Sequence, residues 1–96
     1  MILPGLLPLI RRAILDLLND VGGEQSDEYI EILLSGLGHR VARCDIVPQL
    51  DWLAERDLIE VTEEGPYKIA RILANGRAIA EGKLKIDGVR PHKTGD

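Results

Sequence analysis

The apolar residues between positions 43 and 72 change their spacing once, and this change restricts the fold more than any other feature of the chain. From Arg43 to Arg56 they recur at helical spacing, about 100° per residue, through Ile46, Val47, Leu50, Leu53 and Ala54. From Ile59 onward apolar and polar residues alternate in IEVT and YKIARIL, and EEGP lies between the two runs. Alternation on both sides of a turn sequence is typical of a β-hairpin. The sequence therefore predicts a helix that leads directly into a hairpin.

Two further amphipathic helices are predicted before this unit. Residues 8–19 begin with Pro8, which suits a first helical turn, and Gly22 stops the helix. The polar face of that helix is predicted to hold Arg11, Arg12, Asp16 and Asn19. A second helix begins at Ser26, whose hydroxyl can accept a free backbone N–H, and Gly38 ends it in a left-handed conformation.

The order of these elements predicts an α+β fold of the winged helix-turn-helix type. It consists of a three-helix core, a β-hairpin wing and a short C-terminal helix at ANGRAIAEG. A chain of 96 residues is long enough for one such core and too short for two domains. We assign residues 1–84 to the winged-helix domain and residues 85–96 to a flexible basic tail.

Composition excludes several classes of protein. The lone Cys44 cannot form an internal disulfide, no apolar run reaches the length of a membrane span, and no secretory signal is recognised, so we expect a cytoplasmic protein. His39, Cys44 and His92 are too few and too far apart for a metal site. There is no glycine-rich phosphate loop and no Ser/His/Asp set, so we expect neither an enzyme nor a bound cofactor.

Two segments, GLGHRVARCDIVPQLDWLAERDLIEV and ILANGRAIAEGKLKIDGVRPHKTG, resemble a family of small winged-helix proteins encoded by Mu-like phages and prophages. They are more distantly similar to the ArsR and MarR types of bacterial regulator. The family tends to show LGHRVSRD before the third helix, LxWLAEQGLV at its end and VPGVKRP in the tail. This chain departs from that pattern at Ala42, Pro48 and Asp57, and Asp57 must adopt a turn conformation that glycine adopts more easily. The resemblance implies the winged-helix fold and a phage context.

Five residues are candidates for contacts with DNA. In a helix-turn-helix the third helix begins in the major groove and the wing approaches the backbone. Arg40 and Arg43 would reach phosphates or guanine edges, and Gln49 an adenine edge. Lys68 and Arg71, beside the wing, are candidate phosphate contacts. Our leading hypothesis is a phage or prophage transcriptional regulator that binds double-stranded DNA; otherwise these residues are solvated surface charges paired with nearby acids.

The distribution of charge supports a second hypothesis. The chain has a net charge of −4, and residues 23–38 carry four acids and no base. Residues 67–96 carry seven Lys and Arg against three acids. Five acids would face a duplex unfavourably: Asp45, Asp51, Glu55, Glu63 and Glu64. A winged-helix adaptor that binds a phage or host protein, without DNA, accounts for these acids more directly.

The N-terminal sequence MILPGLLPLI and Trp52 together suggest self-association. Trp52 is predicted to project from the face of the third helix opposite its apolar stripe. It either packs on the wing or the N-terminus, or anchors a dimer interface together with Leu6 and Leu7. A homodimer is the form in which we expect a regulator of this type to act.

Overall fold

A computed structural model describes residues 3–91 and shows an α+β arrangement of helices around a three-stranded antiparallel sheet. After a short 3-10 turn at Pro4–Leu6, the elements in chain order are α1 (Leu7–Val21), β1 (Glu24–Ser26), α2 (Asp27–Gly36), α3 (Arg43–Glu55), β2 (Ile59–Glu64), β3 (Tyr67–Ile72) and α4 (Ala74–Ala80). The core lies between the helices and one face of the sheet. It is built from aliphatic side chains, as expected for a chain without phenylalanine.

The helix α1 is buried on more sides than its apolar pattern predicts. The predicted apolar face is buried, but Leu15 is fully buried as well, and so is Arg12, which we had placed on the polar face. That placement of Arg12 was wrong because α4 packs on α1 and ends with two carbonyl oxygens that need donors. The Arg12 guanidinium supplies them, donating from Nη1 to the Ile79 oxygen at 2.8 Å and from Nη2 to the Ala80 oxygen at 2.7 Å.

The second and third helices begin and end close to their predicted limits. Ser26 caps α2, because its Oγ accepts the backbone N–H of Tyr29 at 3.1 Å. The helix closes where the N–H of His39 donates to the Leu34 oxygen at 2.8 Å, and Gly38 has a φ of 93°. The helix α3 ends before Asp57, whose φ of 60° confirms the turn conformation expected there.

The sheet has a strand that the sequence did not predict. β1 pairs with β3, Glu24 opposite Arg71 and Ser26 opposite Ile69, so that β3 is central in the order β1-β3-β2. A strand of three residues carries no recognisable alternation and forms only because β3 offers it a free edge. The predicted hairpin is confirmed, with a first strand that extends to Glu64, so that only Gly65 and Pro66 remain in its turn.

The segment that follows α4 packs back onto the helices. Ile86 contacts the core, Val89 is buried, and the N–H of Arg90 donates to the Pro8 oxygen at 3.1 Å. Part of the predicted tail, residues 85–91, therefore lies against the domain assigned to residues 1–84. The other part of that tail, residues 92–96, lies outside the described residues.

The buried guanidinium of Arg12 provides a test of this packing. We expect Arg12→Met to lower the free energy of unfolding by about 2–4 kcal/mol, because two buried carbonyls lose a charged donor. Arg77→Ala is the matched control, since it removes an exposed bond of 3.0 Å to Asn19, and it should change stability by less than about 0.5 kcal/mol. Urea unfolding followed by circular dichroism measures both. Equal stability of the two variants would contradict the role given to Arg12.

Candidate interaction surfaces

Arg43, the first residue of α3, is held by groups of its own chain. Its Nε donates to Oδ2 of Asp27 at 2.8 Å, and its Nη2 donates to the carbonyl oxygen of Pro66 in the hairpin turn. Asp27 is only 1% exposed, and its second oxygen accepts the N–H of Glu28 at 2.9 Å. One guanidinium therefore joins the start of α2, the start of α3 and the tip of the hairpin.

The electrostatic surroundings of Arg43 favour its charged form. The hydrogen bond to Asp27 is the main cause that raises the pKa of Arg43, against a smaller opposing effect of burial. The guanidinium also lies 5.1 Å from the ring centre of Tyr67, in the geometry of a cation–π contact. A ligand that recruited Arg43 would have to compete with a carboxylate and a carbonyl already in place.

The two cations of the central strand β3 are also next to acids. Lys68 Nζ lies 3.8 Å from Oε2 of Glu63, and Arg71 Nη2 lies 2.7 Å from Oε1 of Glu60. The hydrogen bond to Glu60, reinforced by the negative charge there, raises the pKa of Arg71. Both acids stand directly opposite their partners across the β2–β3 ladder. The two pairs are three positions apart and so lie on opposite faces of the sheet, where each cation is paired across the strands.

Gln49 lies inside the fold, where its side chain takes part in a polar cluster between α1 and α3. It is 7% exposed, its Oε1 accepts from Arg11 Nε at 2.9 Å, and its Nε2 reaches the Asp45 oxygen at 3.4 Å. Arg11 also donates from Nη1 to the Gly88 oxygen at 3.1 Å. The amide of Gln49 is thus engaged within the protein. Helix α1 and the segment that follows α4 together cover the face of α3 on which Gln49 lies, a face that we expected to be open.

Trp52 completes the same cluster. The guanidinium carbons of Arg11 and Arg56 lie 3.9 Å and 3.6 Å from its ring centre, and two groups this close must occupy opposite faces of the ring. Burial and the nearby charge of Arg56 together lower the pKa of Arg11. The indole is therefore covered by Arg11 and Arg56 of its own chain. Its packing on the wing or the N-terminus and its place in a dimer interface both stay predictions. Leu6 is exposed and Leu7 is half-buried, and their role in a dimer interface stays a prediction.

The outward face of α3 presents few groups that could bind a phosphate. Cys44, Pro48, Asp51 and Glu55 are exposed along it. No lysine or arginine occurs from position 44 to position 55. Arg40, in the turn before α3, is exposed and forms no hydrogen bond or ion pair with another residue of the range 3–91. Of the five residues predicted to contact DNA, Arg40 is therefore the one whose side chain is open to a ligand in this structure.

A groove between α1 and α2 exposes apolar side chains. Its volume is about 500 Å³. The α1 side is lined by Asp16, Leu17, Asp20 and Val21, and the α2 side by Ile32, Leu33, Gly36 and Leu37. Val21, Ile32 and Leu37 are 48%, 59% and 63% exposed, which is high for large aliphatic residues. The crossing of α1 and α2 leaves these three side chains outside the core.

Other kinds of site find no support in the part of the chain that the structure describes. Within residues 3–91 there is no group of three His, Cys, Asp or Glu side chains that could hold a metal, and His92 lies outside this range. None of the helices in the same range is long and apolar enough to cross a membrane. The expectation that the chain is not an enzyme stays a prediction.

Comparison with known proteins identifies a phage relative. The chain is 31% identical over 80 residues to a protein of Escherichia phage Mu named "Uncharacterized protein gp26", and the match covers 83% of each of the two chains. No protein-family model matches the chain. No solved structure matches it.

The contact between Gly88 and Trp52 can be tested with a matched pair of glycine variants. A Cβ on Gly88, at φ 93°, would lie 2.5 Å from the indole, whereas a Cβ on Gly65, at φ 58°, would meet nothing within 4 Å. We expect Gly65→Ala to cost about 1 kcal/mol of backbone strain. Gly88→Ala should cost about 1–2 kcal/mol more, because the ring must move.

Trp52 is the single tryptophan of the chain, so its fluorescence reports this contact directly. The emission maximum should shift to longer wavelength in Gly88→Ala and stay unchanged in Gly65→Ala. The same shift in both variants, or in neither, would show that Gly88 is not packed on the indole.

Proposed function

Because the chain belongs to the family of the phage Mu protein gp26, we propose that it is a phage-encoded winged helix-turn-helix protein that acts by binding another protein. The described structure has an α+β fold, and the winged-helix assignment is compatible with it. The proposal therefore has two parts, the winged-helix arrangement and the use of its surface for a protein partner.

The winged-helix part is supported by the way the elements follow one another. The helices α2 and α3 are joined by a short turn, and the hairpin β2–β3 follows α3 directly. The strand β1, between α1 and α2, extends the hairpin into a sheet. In a winged helix-turn-helix the third helix is the recognition helix and the hairpin is the wing.

The proposal that this surface binds a protein partner is carried by the charge of the surface around α3. Its outward face presents Asp51 and Glu55 without any base from position 44 to position 55. Three of the predicted phosphate ligands, Arg43, Lys68 and Arg71, each lie within 4 Å of a carboxylate of the same chain. Protein–DNA affinity depends largely on cations that replace the counterions of phosphates, and a cation already paired contributes less to it. A protein partner has no such requirement.

A DNA-binding transcriptional regulator remains the second candidate function. The exposed Arg40, which lacks a hydrogen-bonding partner within residues 3–91, lies directly before the proposed recognition helix. In a helix-turn-helix this position is close to the DNA backbone. A regulator would bind as a homodimer, with two copies of this position on two half-sites.

Titration of duplex DNA against salt separates the two functions. We expect no binding of a mixed-sequence duplex at about 100 mM salt, because the acids of α3 repel phosphate. Fluorescence anisotropy of a labelled duplex of about 30 base pairs, from about 20 to 200 mM salt, measures this. A slope near −4 to −5 in log K against log salt, reduced in Arg40→Ala, would establish DNA binding and contradict the proposal.

Two controls make this titration specific. Lys83→Ala removes one positive charge after α4 and should match the wild type, whichever ligand the protein binds. Asp51→Asn combined with Glu55→Gln should strengthen DNA binding by about tenfold if α3 approaches DNA, and should have no effect if it does not. Arg43→Ala is not a suitable variant, because it would leave Asp27 buried without a charged partner and destabilise the fold.

A further inference from the structure

We infer that the groove between α1 and α2 binds a basic amphipathic helix of another protein, with the apolar side of that helix on Ile32 and Leu37 and its lysines or arginines beside Asp20. This inference rests on the proposed protein-binding function and names the surface and the chemistry of the partner. It concerns a face of the molecule that none of the predicted DNA contacts or dimer residues occupies.

The apolar part of the groove has the dimensions of a helix-binding surface. Along α2, successive spacings of three, one, three and one residues place five residues on one helix face: Tyr29, Ile32, Leu33, Gly36 and Leu37. Val21 of α1 faces them across the groove, and the buried Leu17 forms part of its floor. Gly36 adds depth, since a Cβ there would meet nothing within 4 Å. Amphipathic helices bind other proteins by laying an apolar stripe into a groove of this kind.

The charge at the border of the groove selects the partner. Asp16 and Asp20 line the α1 side, and no lysine or arginine is among the residues that line the groove. Asp16 is bound to Arg12 at 3.0 Å, but Asp20 is exposed and forms no ion pair with the other residues in the range 3–91. A lysine or arginine next to the apolar stripe of a bound helix would complement this border.

The same charges disfavour a second copy of the chain as the occupant. A symmetric dimer through this face would place α2 of one copy beside α2 of the other. Asp16 and Asp20 line the groove in each copy and no lysine or arginine does, so that contact would bring together like charges from both copies. Like-charge contacts at an interface lower the affinity for a partner. A second copy of the chain would make such contacts, whereas a basic helix from a different protein would not.

The test uses two synthetic helical peptides of about 18 residues with the same leucine stripe, one with lysines beside the stripe and one with glutamates. Binding is measured by fluorescence anisotropy with the full-length chain. We expect the lysine peptide to bind and the glutamate peptide to bind at least about tenfold more weakly, with the difference decreasing at high salt. Equal binding of the two peptides, or no binding of either, would overturn the inference.

Variants assign the binding to the groove. Ile32→Ser combined with Leu37→Ser should weaken binding of the lysine peptide by about tenfold or more. Asp20→Asn should weaken it several-fold and should not weaken binding of the glutamate peptide. Leu84→Ser is the matched control, because Leu84 is an exposed aliphatic residue that is not among the residues lining the groove. Since all three sites are exposed, the variants should keep the circular dichroism spectrum of the wild type.

Two further outcomes would count against the inference. Unchanged peptide binding in the Ile32 and Leu37 variant would place the binding elsewhere. A dimer of the free chain in sedimentation experiments, lost in the same variant, would show that a second copy occupies the groove. A labelled duplex titrated in parallel separates this inference from the proposed function. If the lysine peptide does not bind and the duplex does not bind either, only the inference about the groove is overturned. If the duplex binds through Arg40, the proposed protein-binding function is overturned.

Discussion

The ion pair between Arg43 and Asp27 is the interaction on which the arrangement of α2, α3 and the hairpin depends. Asp27 is buried, and a buried carboxylate is costly unless a charged donor accompanies it. Arg43 provides that donor at 2.8 Å and binds the Pro66 carbonyl with its other end. The start of α3 is therefore positioned against the start of α2 and the tip of the hairpin by one side chain. The same contact pairs a cation that a DNA-binding protein would need free for phosphate.

Buried guanidinium groups connect the outer parts of the fold in the same way. Arg12 closes the end of α4 by donating to two carbonyls, and Arg11 joins α1 to Gln49, Trp52 and the backbone of Gly88. Arginine stems with planar heads can cover the edges of an aliphatic core while their charges remain hydrogen-bonded. The arginines of α1 consequently serve stability.

The surfaces that remain differ in character. The face of α3 and the hairpin has its cations paired and its acids exposed, as with Glu63 beside Lys68. The face of α1 and α2 exposes Val21, Ile32 and Leu37 next to Asp20. The energy of binding at a protein interface comes mainly from desolvated apolar and aromatic contacts at its centre, and polar groups around them set its specificity. The second face has this composition, and on the first the cations Arg43, Lys68 and Arg71 are each paired with a carboxylate of the same chain.

The sequence by itself determined the helices, the hairpin, the cap at Ser26 and the left-handed turn at Asp57, because these features depend on the spacing and chemistry of neighbouring residues. It did not reveal β1, which exists through pairing with β3. Only the tertiary structure decided which polar side chains are free. Arg12 meets its acceptor 67 positions away and Gln49 meets Arg11 38 positions away. Such partners come together only when the helices pack, so the pattern of a single helix could not distinguish a buried arginine from an exposed one.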